Sequence, residues 1–204
     1  MKDQDIVVIG IQPWDIEIGS NCKNIAEEFA KTNRVLYVNP PLDRITRMKE
    51  KDNQKILKRI RIAKGLEPDL VHLGDNLWNL YPGGLIESIN RIKNTTLYDL
   101  LNKRNNKIFA RSVKTAIRRL GMKDFILFND SAMFTGLYMK ELLEPKLYVY
   151  YMRDYLVKVP YWQRHGERLE PQLISKADLV VNNSVLYTDY GKRFNRHSYM
   201  VGQG

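Results

Sequence analysis

Cysteine is nearly missing from this chain: Cys22 stands alone among 204 residues. A single thiol closes no internal disulfide, which excludes the stapled framework of a small secreted scaffold. Histidine is scarce too. His72, His165 and His197 keep no ligand spacing from one another, which argues against a zinc site and gives the expectation of no metal. Apolar runs reach only about six residues, far short of the roughly twenty that a membrane-crossing helix needs. The start, MKDQDIVVIG, sets Asp3 and Asp5 among its first residues and lacks the form of a signal peptide. Together these absences give the expectation of a cytoplasmic protein.

Three signatures of nucleotide and nucleophile chemistry are also missing. No G-x-G-x-x-G follows the first strand-like run, and no G-x-x-x-x-G-K-[ST] occurs, so a dinucleotide fingerprint and a P-loop are excluded. No G-x-S-x-G elbow supports an α/β-hydrolase. What is present is enough apolar residue, 44%, for a sizeable core. Charge is lopsided at +10, which suits nucleic acid, an anionic membrane surface, a phosphorylated substrate or a solvated basic face.

Asp5–Ile11, DIVVIGI, is continuously apolar and reads as a central parallel strand buried on both faces. Ser20 caps a helix running to about Lys31, with Ile25, Ala26, Phe29 and Ala30 on one side. Arg34–Asn39 is a second strand, stopped by Pro40-Pro41, and the βαβ unit takes a right-handed crossover. Residues 43–67 are crowded with Lys and Arg and read as a surface excursion. Val71–Leu80 is strand-like, with a hairpin around Asp75–Asn76. Leu100–Leu120 has helical periodicity, with Gly121 as its C-cap. Strands at Phe125–Asn129, Leu147–Met152, Leu179–Asn183 and Tyr199–Val201 alternate with helices at Ser131–Leu143, Tyr161–Lys176 and Val185–Phe194. The alternation predicts an α/β fold, a Rossmann-like, doubly wound, mostly parallel sheet of seven strands with helices on both faces. Residues 1–204 form one domain, and the ending Val201-Gly202-Gln203-Gly204 reads as the approach to an interdomain linker.

In an open parallel sheet ligands bind beyond the carboxyl ends of the strands. That rule selects Gln12–Asn21, Asn39–Asp43, Asn129–Ser131, Arg153–Tyr155 and Asn182–Ser184. Gly19, Ser20 and Asn21 bring backbone N–H groups to a helix N-terminus, where they either hold an anion or form a turn and cap. Trp14 is an aromatic wall or a packed side chain. Asn129, Asp130 and Ser131 line a cleft or cap the next helix. The pair Arg153–Asp154 is either a site group or an ion pair fixing its loop. Asn183 and Ser184 carry the same two readings.

Lys103, Lys107, Arg111, Lys114 and Arg118 recur at helical spacing and form a basic ridge opposite the apolar side of their helix. Such a ridge is either simply solvated or fits a polyanion or anionic lipid. No recognised nucleic-acid module accompanies it.

The order of segments resembles the N-terminal half of GT-B-fold, nucleotide-sugar-dependent glycosyltransferases, in the large retaining group that includes bacterial enzymes of cell-surface polysaccharide assembly. RVLYVNPP at Arg34–Pro41, LWNLYPGG at Leu77–Gly84, FILFND at Phe125–Asp130, YVYYMRDYL at Tyr148–Leu156 and EPQLISKADLVVNNS at Glu170–Ser184 carry it. The resemblance implies a nucleotide-sugar donor, no cofactor, and a saccharide or lipid-linked acceptor. It also implies a C-terminal domain that makes most donor contacts and an N-terminal domain that holds the acceptor. By resemblance Gly19 and Ser20 approach the donor phosphates, and Asp154 is the catalytic candidate on the cleft rim. Where the wider group has paired glycines in the first loop, this chain has Gly19 alone. The alternatives are a stand-alone nucleotide- or sugar-phosphate-binding domain and a basic interaction module of a polysaccharide-assembly complex.

Overall fold

A computed structural model of the protein describes residues 2–17, 19–50 and 52–202. Gln203 and Gly204, assigned above to the approach of a linker, and Lys51 of the basic stretch lie outside the described residues. The elements are β1 (Asp5–Gly10), α1 (Asn21–Ala30), β2 (Arg34–Val38), α2 (Arg44–Lys49), α3 (Gln54–Ala63), β3 (Leu70–Gly74), β4 (Leu77–Leu80) and α4 (Thr95–Arg119). They continue with β5 (Ile126–Asp130), α5 (Met139–Leu143), β6 (Leu147–Met152), α6 (Pro160–Lys176), β7 (Leu179–Asn182), α7 (Val185–Lys192) and β8 (Ser198–Met200).

The fold is α/β, with one sheet in the order β3-β4-β2-β1-β5-β6-β7-β8. Every neighbouring pair runs parallel except β3 with β4. Side chains alternate across the sheet, so Val7 and Ile9 enter one core with Phe109, Val113 and Leu173, while Ile6 and Val8 enter another with Cys22 and Ala26. Helices therefore cover both faces, and the continuously apolar β1 is buried on both, as its composition requires.

Four expectations need correction. Among the described residues the sheet has eight strands rather than seven: the expected hairpin around Asp75–Asn76, turned by a positive φ of 43° at Asp75, supplies two of them, β3 and β4. The 43–67 surface excursion is built largely of two helices, which its scarce apolar residues do not announce: Ile56 and Ile62 are buried, and Lys55 and Arg59 pair with Glu17 and Asp15 of the first loop. Their charge was thus answered from far away in sequence. Helix α4 begins at Thr95, where Asn94 accepts the Leu97 N–H at 2.9 Å, and its extra turn buries Tyr98. After β5 no helix opens at Ser131, so neither Asp130 nor Ser131 is an N-cap. Ser131 adopts φ of 59°, Asn129 takes the Ala132 N–H at 2.9 Å, and helical structure resumes only at Met139.

Candidate functional site

Strand order reverses about β1: β2 lies on one side, and β5, which returns after the excursion through β3, β4 and α4, lies on the other. The crevice outside the carboxyl ends at such a switch point is where open α/β sheets place ligands. A cavity of about 530 Å3 sits there. Gly10, Ile11 and Gln12 from the end of β1 and Pro40 and Pro41 after β2 contribute to it, with residues 86–91, the first turns of α4, Phe134, and Tyr161 and Trp162 of α6.

Long-range hydrogen bonds hold the 86–91 segment in place. Asn105 acts like a strand edge, its Nδ2 donating to the Glu87 carbonyl and its Oδ1 accepting the Glu87 N–H, both at 2.9 Å. Asp43 caps α2 through the N–H groups of Ile45 and Thr46 and also accepts the Ser88 and Thr46 hydroxyls. Burial alone would raise its pKa, but these donors outweigh burial and hold the carboxyl below its ordinary value. The carboxylate of Glu87 is occupied by Arg44 at 2.8 and 2.9 Å. Both acids at the cavity are therefore engaged.

Three other lining residues are not fully engaged. Asn90 Oδ1, Tyr98 Oη and Asn102 Nδ2 are buried without a hydrogen-bond partner. Their remaining contacts fix them. Asn90 Nδ2 donates to the Tyr161 carbonyl at 2.7 Å, and Asn102 Oδ1 accepts from Asn106 at 3.2 Å. The Tyr98 ring stacks on His165 with centroids 3.6 Å apart. An unsatisfied buried group costs about 1–3 kcal/mol, and a polar ligand or a bridging water removes that cost. Beside them Phe134 and Trp162 form an aromatic pair 5.1 Å apart.

Of the segments selected from sequence, Gln12, Pro40, Pro41 and Asp43 line this cavity, whereas none of the residues singled out within those segments does. Trp14 packs edge-on against Tyr37 at 5.0 Å, and its backbone N–H donates to Oδ1 of the buried Asn39 at 2.7 Å. Ser20 caps α1, accepting from Lys23 N–H and donating to Gln12 at 2.6 Å; Gly19 is exposed beside it. Asn21 reaches the Tyr151 hydroxyl. Asn129 points inward, donating to Tyr148 Oη at 2.7 Å. Asn183 is half-buried, and Ser184 stands at the N-cap position of α7 without a side-chain capping bond.

A second group gathers at the ends of β5 and β6. Arg153 Nη1 lies 3.3 Å from the fully buried Asp130, as an ion pair without the alignment of a hydrogen bond, and its Nε donates to Asp154 at 3.0 Å. Burial pushes the Asp130 carboxyl up, against the pull of Arg153. Asp154 remains more than half exposed on the rim. Cys22 adjoins this group, and burial pushes its thiol up, so it is not a ready nucleophile. Among the described residues no three His, Cys, Asp or Glu side chains gather as a metal site would require.

Composition could have pointed to the cavity. Asn102, Asn105 and Asn106 interrupt the buried face of an otherwise amphipathic helix, and polar residues at core positions need partners. No protein-family model matches this chain, and a search of curated proteins finds no match.

Proposed function

We propose that this chain is the acceptor-side domain of a nucleotide-sugar-dependent GT-B glycosyltransferase, Rossmann-like and doubly wound, and that its cavity holds a saccharide or the saccharide head of a lipid-linked acceptor. One observation carries the reading. Asn90, Tyr98 and Asn102 line the same cavity as Phe134 and Trp162, and each keeps one buried hydrogen-bonding atom without a partner among the described residues. A sugar ring offers the complement: hydroxyls that donate and accept, and an apolar face for an indole. Asp43 and Glu87 are occupied, and the unmet buried groups are uncharged and suit saccharide hydroxyls, while the exposed cation Arg91 also lines the cavity.

In the reaction an acceptor hydroxyl bonds to the anomeric carbon of the donor while the bond from that carbon to the nucleoside diphosphate breaks. The hydroxyl proton leaves to the diphosphate or a neighbouring base. Negative charge grows on the leaving phosphate, so backbone N–H groups and cations are the stabilising chemistry. In this reading Gly19, Ser20 and Asn21 at the N-terminus of α1 meet that phosphate, Asp154 is the catalytic candidate on the rim, and a C-terminal domain completes the donor site. Nucleotide sugars of the cytoplasm would supply the donor.

The test is protein NMR on the chain, with the Trp162 indole N–H identified through Trp162→Phe. Neutral oligosaccharides at millimolar concentration should shift that signal, and Trp162→Ala should weaken binding about tenfold, the loss of roughly 1.4 kcal/mol of ring contact. Shifts produced by sugar phosphates or nucleotides alone, with saccharides inert, would overturn the acceptor reading in favour of a phosphate-binding domain.

A further inference from the structure

The two faces of α4 differ sharply. One packs Tyr98, Asn102, Phe109, Val113 and Ala116 into the protein. The other exposes Lys103, Lys107, Arg111, Lys114 and Arg118, as the sequence periodicity expects, and Arg104 with them. At about 100° per residue these six cations fall within roughly a 100° arc, over about 22 Å of helix from Lys103 to Arg118. Leu100 falls in the middle of that arc and Leu97 at its edge; they are 67% and 46% exposed. Cations in line with bare leucines suit an interface that is charged outside and apolar just beneath.

A merely solvated helix face mixes signs, since Glu–Lys pairs four apart stabilise it. Here the only acid on α4 is Asp99, and it is turned to Arg168, at 2.6 and 3.0 Å. Among the described residues no ion pair reaches any of the six cations. We propose that this stripe docks the protein on an anionic lipid surface, the cations meeting headgroup phosphates and Leu100 entering the acyl boundary. The inference does not depend on glycosyl transfer. Nucleic acid would engage the same charges but has no place for the leucines, and no aromatic residue stands on the stripe to stack bases. No helix among the described residues is long and apolar enough to cross a membrane, so the docking is peripheral.

The experiment is co-sedimentation with phosphatidylcholine vesicles, with and without about one-third phosphatidylglycerol, and a parallel arm with duplex DNA and single-stranded RNA. The chain should bind only the anionic vesicles and release as salt rises. Each cation near the surface is worth about fivefold, from about 1 kcal/mol. Lys107→Glu/Arg111→Glu/Lys114→Glu should therefore lose at least a hundredfold while melting normally. Leu100→Ser, at an exposed site and so harmless to the fold, should lose severalfold on vesicles and nothing on nucleic acid. Equal binding to neutral vesicles, an unaffected triple variant, or nucleic acid bound more tightly than lipid with Leu100→Ser silent would each overturn the proposal.

Discussion

One turn of α4 separates two kinds of buried asparagine. Asn106 spends both ends of its amide, donating to the Asn102 and Phe134 carbonyls at 2.9 Å and accepting the Tyr138 N–H at 3.3 Å. Asn102, four residues earlier, lines the cavity and leaves its buried Nδ2 without a partner. The same contrast recurs around the carboxyl end of the sheet. Asn39, Asn105 and Asn129 tie loops to strands and helices with every bond made, whereas Asn90 and Tyr98 stop one bond short. Burial is shared, so burial alone does not separate architecture from recognition; an unmet bond at a residue that also lines the cavity does. Substitution in the first set should cost stability, and in the second set binding.

The largest effect should come from Asn129→Ala. It strips the amide partner from the Ala132 N–H and from Tyr148 Oη and opens a void where Gly136 approaches too closely for any larger side chain. Lost hydrogen bonds and the void together predict about 3 kcal/mol of destabilisation in urea unfolding. A change below about 1 kcal/mol would show that the loop after β5 is held by something else.

Glu170 sharpens the comparison because its open oxygen faces packed core rather than a cavity. It is fully buried, accepts from Tyr150 Oη at 2.8 Å, and leaves Oε2 without a partner. Protonation answers this vacancy: burial pushes the carboxyl up to about 7 from an ordinary 4.5, against the bond from Tyr150. The folded state thus holds its proton more tightly than the unfolded chain. Stability from this group is complete below pH 4.5, falls as pH rises toward 7 and is then level, a loss of about 3 kcal/mol. Glu170→Gln, neutral throughout, should lack this slope when melting is followed from pH 4 to pH 8. Parallel curves for the two proteins would place the carboxylate in a solvated setting.

Strand positions and the apolar helices were legible because period and composition act locally: β1, β2, β6 and the run from α6 to β7 needed only their own residues. Helices α2 and α3 were illegible because the acids that answer their charge belong to other segments: Glu87 for Arg44 of α2, and Asp15 and Glu17 for Arg59 and Lys55 of α3. The loop after β5 was misread for the same reason, since Asn129 turns inward to Tyr148 rather than forward to a cap. The strand-end rule located the correct edge of the molecule and one part of the cavity wall, Gln12, Pro40, Pro41 and Asp43, but not the rest. Residues 86–91 follow no strand directly, and Tyr161 and Trp162 come from the opening of a later helix. Only three-dimensional pairing brings those segments to the end of β1.

Tyr98→Phe is the smallest change and the most direct probe of the open set. The ring and its stack on His165 are retained, and only the unpartnered oxygen is removed. Burial raises the phenol's pKa, so at neutral pH it is a donor with no acceptor inside the protein. Deleting an unsatisfied buried hydroxyl forfeits no internal bond, so unfolding free energy should stay within about 1 kcal/mol of the parent, with any shift toward greater stability. Saccharide binding, measured by the Trp162 indole shift, should weaken about fivefold, the value of one hydrogen bond of roughly 1 kcal/mol. The opposite pattern, a loss above about 2 kcal/mol in stability with binding unchanged, would assign Tyr98 to the architectural set. The distinction by unmet bonds would then fail at the residue where it is drawn most plainly, because Tyr98 is the largest of the three and has no accessible surface.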